Sequence, residues 1–141
     1  MMKDLFSTIK CSLAEPPVAA VTGDTAFVSE VLDTRDFGSA VFVGIFGSIA
    51  DADVSFTVLV EHSDASGSGF AAVDDVHLNG TEALAAPLFS DDNKVIKIGY
   101  VGPKRYVRVT VTPANNSGNI FFAAAWIQGH PRKGPLTTQV V

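Results

Sequence analysis

Three histidines, His62, His77 and His130, are the first candidates for metal binding or acid–base chemistry. No two of them have the i, i+2 or i, i+4 spacing at which a strand or a helix brings two metal ligands together. A barrel metalloenzyme of the cupin type needs at least one such close pair of ligands. We therefore predict no metal site, no cofactor and no catalytic residue built on these histidines.

Acidic and hydroxyl side chains cluster in segments with turn composition. Asp51 and Asp53, the pair 74–75 and the pair 91–92 have the character of turn residues, whose carboxylates bind nearby backbone amides. A calcium site built from them remains an alternative, although the sequence contains no complete calcium-binding loop. The serine-rich loop 63–69 precedes a strand rather than a helix, unlike the nucleophile elbow of a hydrolase. These residues predict loops and no active site.

The chain has a single cysteine, Cys11, which excludes an internal disulfide bond. With no strongly basic neighbour other than Lys10, this thiol is expected to be buried by packing. The first seven residues lack the apolar segment of a signal peptide, and no apolar run reaches the roughly 20 residues that cross a bilayer. We expect the protein to be made in the cytoplasm, without a membrane partner.

The stretch 94–128 has the clearest strand pattern. Three β-branched or aromatic runs, 94–103, 104–113 and 120–128, are separated by Gly-Pro and Asn-Ser-Gly punctuation and predict an antiparallel meander. The middle run alternates as a strand with one buried face does. One face has Tyr106, Arg108, Thr110 and Thr112, and the other has Arg105, Val107, Val109 and Val111.

Shorter patterns extend this prediction over the rest of the chain. Segments 25–32 and 54–62 are predicted strands, and 70–73 and 76–78 are weaker candidates. The run 39–48 has almost no polar face, which predicts a central strand covered on both sides. Trp126 is expected in the core. A single helical turn is expected near 81–85.

Together these elements predict one all-β domain, an antiparallel β-sandwich of jelly-roll or Greek-key type with about eight strands. The length of 141 residues suits one domain with its own core. Residues 1–18 are predicted to be an extended N-terminal arm, 19–130 the sandwich, and 131–141 a C-terminal tail. Fraying of both ends is the alternative interpretation.

Charge is distributed unevenly along the chain. Residues 1–92 contain all fifteen acidic residues and three basic ones, a net charge of −12, whereas 93–141 contain seven basic residues and no acid. This pattern favours either internal neutralisation or a bipolar surface for assembly. The candidate interaction residues are five cations of the second part: Lys104, Arg105, Arg108, Arg132 and Lys133. The pI near 4.9 opposes nucleic-acid binding.

Several segments resemble a family of small virion proteins of tailed bacteriophages. The most specific one is Tyr-x-Gly-x-Lys-Arg-Tyr-x-Arg at 100–108, within a similar stretch at 98–112. The segment 126–132 is also similar, and 31–35, 41–48 and 54–63 are similar more loosely. The resemblance covers about two thirds of the chain and contains no catalytic motif.

The resemblance implies a non-enzymatic virion structural protein, most simply a capsid decoration (cement) protein that bridges capsid subunits on the outside of the expanded phage head. The implied partners are the major capsid protein and further copies of the chain, as a dimer or trimer, and the implied location is the capsid surface. Other virion roles (head–tail completion, tail or fibre base) and a carbohydrate-binding β-sandwich remain alternatives.

Overall fold

A computed structural model describes residues 3–141, most of which lie in or between two antiparallel sheets. Residues 1 and 2, the start of the predicted N-terminal arm, are outside the described residues. The strands are β1 (Ile9–Glu15), β2 (Phe27–Val28), β3 (Leu32–Asp33), β4 (Phe37–Ile49), β5 (Ser55–Ser63), β6 (Ala71–Ala72), β7 (Leu78–Asn79), β8 (Val95–Tyr100), β9 (Tyr106–Ala114) and β10 (Ile120–Pro131). One short helix, α1 (Glu82–Ala85), and 3-10 turns at Phe6–Thr8, Asp75–His77 and Phe89–Asp91 complete the list.

The two sheets have the strand order of a jelly roll. Sheet A has the order β1-β10-β4-β8-β7, and sheet B has the order β2-β9-β5-β6 with β3 also on β9. Strands β2 and β3 pair with different parts of β9 and act as one interrupted edge strand. With the two-residue β7 set aside, eight strands remain, in two sheets of four. The predicted antiparallel β-sandwich of about eight strands is confirmed.

Sheet B follows the period-two pattern of its sequence. Along β9 the three valines at 107, 109 and 111 are buried, and the residues between them face outward. Strand β5 alternates in the same way, with Phe56, Val58 and Val60 inward. Because successive side chains of a strand point to opposite faces, this alternation gives the sheet one core face and one polar face.

Aromatic side chains fill the space between the sheets. Trp126, 1% exposed, packs edge-on against Phe42 with ring centroids 5.3 Å apart. Phe46 and Phe122 lie 4.6 Å apart, centroid to centroid. The indole Nε1–H of Trp126 donates a hydrogen bond to the carbonyl of Glu30 at 3.0 Å, so its polar atom is satisfied. The predicted core position of Trp126 is confirmed.

The predicted meander over 94–128 is wrong. Strands β8 and β10 lie in sheet A without pairing with each other, and β9 lies between β2 and β5 in sheet B. The connections at 101–105 and 115–119 therefore cross from one sheet to the other rather than closing hairpins. Gly-Pro and Asn-Ser-Gly sequences suit either kind of turn, so the local pattern did not distinguish the two.

Two further expectations are corrected in sheet A, and part of the predicted arm forms a strand there. Strand β4 is central, between β10 and β8, but only one of its faces is buried by the described chain. Residues 9–15 of the predicted arm form β1, the edge strand paired with β10. Cys11 of β1 is exposed rather than buried, because its side chain lies on the outer face of this edge strand.

The predicted helical turn near 81–85 is present as α1. The hydroxyl of Thr81 accepts a hydrogen bond from the amide of Leu84 at 3.2 Å, which caps its N-terminus. At the other end of the chain, the amide of Leu136 donates to the carbonyl of Ser7 at 2.9 Å. Beyond this contact the tail is exposed, and Val140 is 89% accessible.

Candidate docking surface

The outer face of sheet A is apolar across four strands. Antiparallel register places Cys11, Ile127 and Val41 side by side, and the next row contains Leu13, Ala125 and Val43. We name this surface the apolar face; it consists of Ile9, Cys11, Leu13, Val41, Val43, Ile45, Val95, Phe121, Ala123, Ala125 and Ile127, with Lys97 at its β8 side.

The apolar face is open. Leu13 is 53% exposed, Ile45 51% and Val95 62%, although all three are large apolar residues. The outer face of sheet B has the opposite composition, since Ser55, Thr57, Thr110 and Thr112 point outward there. A sheet face in contact with water is normally polar, and a contiguous exposed apolar patch marks an interaction site.

A groove of about 850 Å³ lies at one end of the apolar face. Val41 and Ile127 lie along it, and Gly99 and Gly129 leave it open because they have no side chains. Its full lining is Leu5, Thr8, Ile9, Ser39, Ala40, Val41, Asn79, Gly80, Lys97, Gly99, Ile127, Gly129, His130 and Pro131. No Phe, Tyr or Trp of the described chain lines this groove.

A second, polar hollow of about 300 Å³ lies at the same end of the sandwich. Four cationic side chains line it, and we name them the basic corner: Arg35, Lys104, Arg105 and Arg132. Arg35 comes from the β3–β4 turn, Lys104 and Arg105 from the β8–β9 connection, and Arg132 follows β10. Phe37 and Thr34 complete the wall toward sheet A.

The structure brings together three of the five predicted interaction residues, Lys104, Arg105 and Arg132. Arg108 lies elsewhere, on the outer face of sheet B, where its Nε is 2.8 Å from Glu61 and its guanidinium packs over Phe70. Lys133 is exposed beside Arg132 but does not line the hollow. Arg35 also lines the hollow, although it lies in the acidic part of the chain and was not among the predicted interaction residues.

Ion pairs at this end join the two halves of the sequence. Arg105 binds Asp33 through two hydrogen bonds, of 2.9 and 2.6 Å, and Lys104 Nζ lies 3.4 Å from Asp64. Arg108 contacts Glu61 and Lys94 contacts Asp91, so four cations of the basic part contact carboxylates of the acidic part. Internal neutralisation, one of the two predicted alternatives, is confirmed for these residues.

The bidentate contact with Arg105 lowers the pKa of Asp33 to about 2, because the guanidinium stabilises the charged carboxylate. The stability that it contributes is present above the ordinary pKa of 3.8 and is lost as the pH falls toward 2. Both side chains are more than one third exposed. The pair therefore contributes about 1 kcal/mol or less.

Tyr100 holds the β8–β9 connection in place. Its hydroxyl accepts a hydrogen bond from the amide of Lys104 at 3.0 Å and lies 3.1 Å from the carbonyl of the same residue. A Cβ atom at Gly102 would lie 2.6 Å from the Tyr100 ring, so only glycine fits there. The Tyr-x-Gly-x-Lys-Arg part of the motif at 100–108 thus has a structural role, because it positions Lys104 and Arg105.

A buried histidine adjoins Tyr100. Nδ1 of His62 lies 2.9 Å from the Tyr100 hydroxyl, and its ring centroid is 6.3 Å from that of His77. Burial lowers the pKa of His62 below its ordinary value of 6.5, and the nearby Lys104 and His77 lower it further, against opposing effects of Asp64 and Asp74.

We therefore predict that the protein loses stability in mild acid. The fold favours neutral His62, so the stabilisation is complete above about pH 6.5 and is lost as the pH falls below it. Urea unfolding at about pH 7.5 and about pH 5.5 measures this change. In His62→Gln the difference between the two values should shrink, and an unchanged difference would show that another group is responsible.

The carboxylate of Asp51 binds one amide of its own turn and two groups of the β9–β10 connection. The carboxylate of Asp51 accepts hydrogen bonds from the amide and hydroxyl of Ser117, both at 2.7 Å, and from the amide of Asp53 at 2.9 Å. These contacts fit the turn interpretation of this residue. Within residues 3–141 there is no group of three or more His, Cys, Asp or Glu side chains arranged to hold a metal ion.

No protein-family model and no curated protein matches this chain. The solved structures that are similar to this chain include two with 14% sequence identity. A xylan-binding domain of carbohydrate-binding family 22 matches with a TM-score of 0.39 over 93% of this chain and 91% of its own length. The C-terminal family 22 carbohydrate-binding module of a Clostridium thermocellum protein matches with a TM-score of 0.38, over 90% and 88%.

These two similarities carry no argument about function, because the identity is far below that of demonstrable relatives and both TM-scores are below 0.5. In the described part of the chain, no helix is both long and apolar enough to span a membrane. The candidate site therefore has to be interpreted from its own geometry: a wide apolar face, a groove along one end of it, and a basic corner nearby.

Proposed function

We propose that this chain is a non-catalytic virion structural protein that docks on the outside of a bacteriophage head and stabilises the expanded shell. The observation that carries the proposal is the open apolar face, which is an unfavourable surface for a protein free in water. Docking of this face on capsid subunits would remove it from solvent. A protein of this kind acts through a surface and needs no pocket for chemistry.

The composition of the apolar face suits such an interface. Stable protein interfaces bury about 800 Å² on each partner, with an apolar centre and a polar rim. Eleven side chains on four strands supply the centre, and Lys97, Asn79 and Ser39 supply polar groups at its edge. A protein that binds only the expanded shell lowers the free energy of that state by mass action, which is the physical basis of cementing.

The resemblance at 100–108, 126–132 and 31–35 also supports this proposal. These segments are distant in sequence, yet Arg35, Lys104 and Arg132 line one hollow. The jelly roll itself is used by capsid proteins and by lectins alike, so it does not distinguish between them. Adjacency of the gene to a major capsid gene would favour the head, whereas adjacency to tail genes would favour a tail or head–tail role.

The test is co-sedimentation of the purified chain with unexpanded and expanded heads of the phage that encodes it. We expect saturable retention by expanded heads and much weaker retention by unexpanded ones. Expanded heads that lack the protein should also dissociate at a lower temperature than heads that carry it. The proposal fails if neither form of the head retains the protein.

A carbohydrate-binding module is the second candidate, favoured by one observation, the groove of about 850 Å³ on a sheet face. Its polar groups, among them Asn79, Ser39 and His130, are of the kinds that bind sugar hydroxyls. Against it, the described groove has no aromatic ring on which a sugar could stack. Binding of the isolated chain to a glycan array would favour this candidate over the virion role.

A further inference from the structure

The cations of the basic corner are not equally neutralised. Arg105 is occupied by Asp33, and Lys104 approaches Asp64, which is 80% exposed and 3.4 Å away. Among residues 3–141, neither Arg35 nor Arg132 has a carboxylate oxygen within 4.0 Å of its guanidinium nitrogens. Two guanidinium groups therefore remain available on the wall of the same hollow.

The local charge is positive on a molecule that is otherwise acidic. The basic corner and the adjoining Lys133 provide five positive charges, against three negative charges from Asp33, Asp36 and Asp64. This leaves a net charge of +2 at the corner and −7 on the rest of the chain, whose total is −5. A field of this shape attracts a short anionic segment to one end of the sandwich and repels extended polyanions.

The backbone that carries these cations is fixed by hydrogen bonds. The amide and hydroxyl of Thr34 both donate to the carbonyl of Arg105, at 2.9 and 2.8 Å. The amide of Arg132 donates to the carbonyl of Asp36 at 2.9 Å, and Tyr100 fixes Lys104. The fold therefore fixes the backbone positions from which the cationic side chains reach the hollow, which lowers the backbone part of the entropy cost of binding.

We infer that the basic corner binds carboxylate side chains presented by an acidic segment of a partner polypeptide. Arginine suits this ligand because the planar guanidinium matches a carboxylate through two parallel hydrogen bonds, the geometry that Arg105 and Asp33 already display. The hollow of about 300 Å³ accommodates one or two acidic side chains. A nucleic acid fits poorly, since its long phosphate backbone would extend over acidic surface.

The inference rests on the proposed function in one respect, namely that the partner is a protein. The inference also describes the surface of that partner. It would have an apolar area that covers the apolar face and, next to this area, at least one Asp or Glu that reaches Arg35 and Arg132. The basic corner would then set the orientation and speed of docking, while the apolar face supplies most of the affinity.

The test uses fluorescence anisotropy of fluorescein-labelled hexaglutamate with the full chain. We expect saturable binding that weakens with added salt, and a loss of about tenfold in affinity in the double variant Arg35→Gln/Arg132→Gln. Lys94→Gln is a control for charge outside the basic corner. It removes one positive charge, that of a lysine paired with Asp91 at the opposite end of the sandwich, and it should change the affinity by less than about twofold.

Two outcomes would overturn the inference. The first is equal binding by the double variant, provided that its unfolding midpoint in urea matches that of the original chain. The second is displacement of hexaglutamate by inorganic phosphate at a lower concentration than by glutamate, which would indicate a phosphate site. No head is present in this experiment, so a negative result with hexaglutamate would not contradict head binding through the apolar face. Likewise, a negative result in head binding would not contradict hexaglutamate binding at the basic corner.

Discussion

Replacement of Ile45 by lysine is expected to weaken docking about a hundredfold without unfolding the protein. Ile45 lies on β4, 51% exposed on the apolar face, between Ala123 of β10 and Val95 of β8. In the free chain the new ammonium group remains in water, so the free energy of unfolding should change by about 0.5 kcal/mol or less. In the docked state it would be buried among apolar groups, at a cost of about 3 kcal/mol, which corresponds to roughly a hundredfold weaker binding to expanded heads.

Leu59→Lys is the matched control for this experiment. Leu59 is an aliphatic residue on the outer face of sheet B, 36% exposed and flanked by outward-facing threonine. The same change of charge there should leave head binding within about twofold of the original value. If Leu59→Lys weakened binding as strongly as Ile45→Lys does, net charge rather than the apolar face would govern docking.

Truncation of Trp126 to alanine should have the largest effect on stability. The indole is 1% exposed, packs against Phe42 and donates a hydrogen bond to the carbonyl of Glu30. Its removal leaves a cavity between the sheets and takes away one of two hydrogen bonds to the Glu30 carbonyl, which also accepts one from the Ser29 hydroxyl at 3.0 Å. We therefore expect a loss of about 3–5 kcal/mol, most of it from the cavity. Because Trp126 is the only tryptophan in the sequence, far-UV circular dichroism in urea is the suitable measurement.

Phe121→Ala provides the comparison, because Phe121 belongs to the same strand but is 44% exposed on the apolar face. Its truncation should cost about 1 kcal/mol or less. If Trp126→Ala shows no cooperative unfolding transition in urea, the loss of stability is at or above the upper end of the expected range. Equal urea midpoints for the two variants would contradict the assigned core.

The buried face of a strand could be predicted from the sequence where the other face of that strand is exposed to water. Along β5 and β9 the alternation of valine or phenylalanine with serine or threonine identified the buried side chains correctly. The core position of Trp126 was predicted from a different signal, its apolar surroundings at 123–125 and at Ile127. The assignment of strands to sheets could not be predicted, since a short turn between two strands joins either neighbours in one sheet or strands of opposite sheets.

The run 39–48 illustrates a different limit. Its apolar residues on both faces predicted a strand covered on both sides, and the described chain covers only the face of Phe42 and Phe46. A sequence pattern does not tell whether cover comes from the same chain or from another molecule. At Val43 and Ile45, the sequence pattern therefore predicts a covered face, whereas the isolated fold leaves this face open.

The basic corner was predicted in part, because clustered cations are visible at 104–105 and 132–133. Arg35 could not be assigned to it, since only folding brings the β3–β4 turn beside the β8–β9 connection. The neutralisation of Arg105 by Asp33 and of Arg108 by Glu61 likewise depends on contacts between distant segments. Charge counting alone overstated the number of cations that are free to bind a partner.

The lone thiol of Cys11 allows the most direct test of docking through the apolar face. Cys11 is exposed on β1, and its register partner on the same face is Ile127. The measurement is the rate of maleimide labelling of the Cys11 peptide, followed by mass spectrometry, in the free chain and in the chain bound to expanded heads. A Cys11→Ser/Leu59→Cys variant reports on the outer face of sheet B in the same way. We predict that binding to the head strongly slows labelling of Cys11 and hardly changes labelling of the thiol at position 59. If Cys11 reacts as fast in the head-bound chain as in the free chain, the apolar face is not the docking surface.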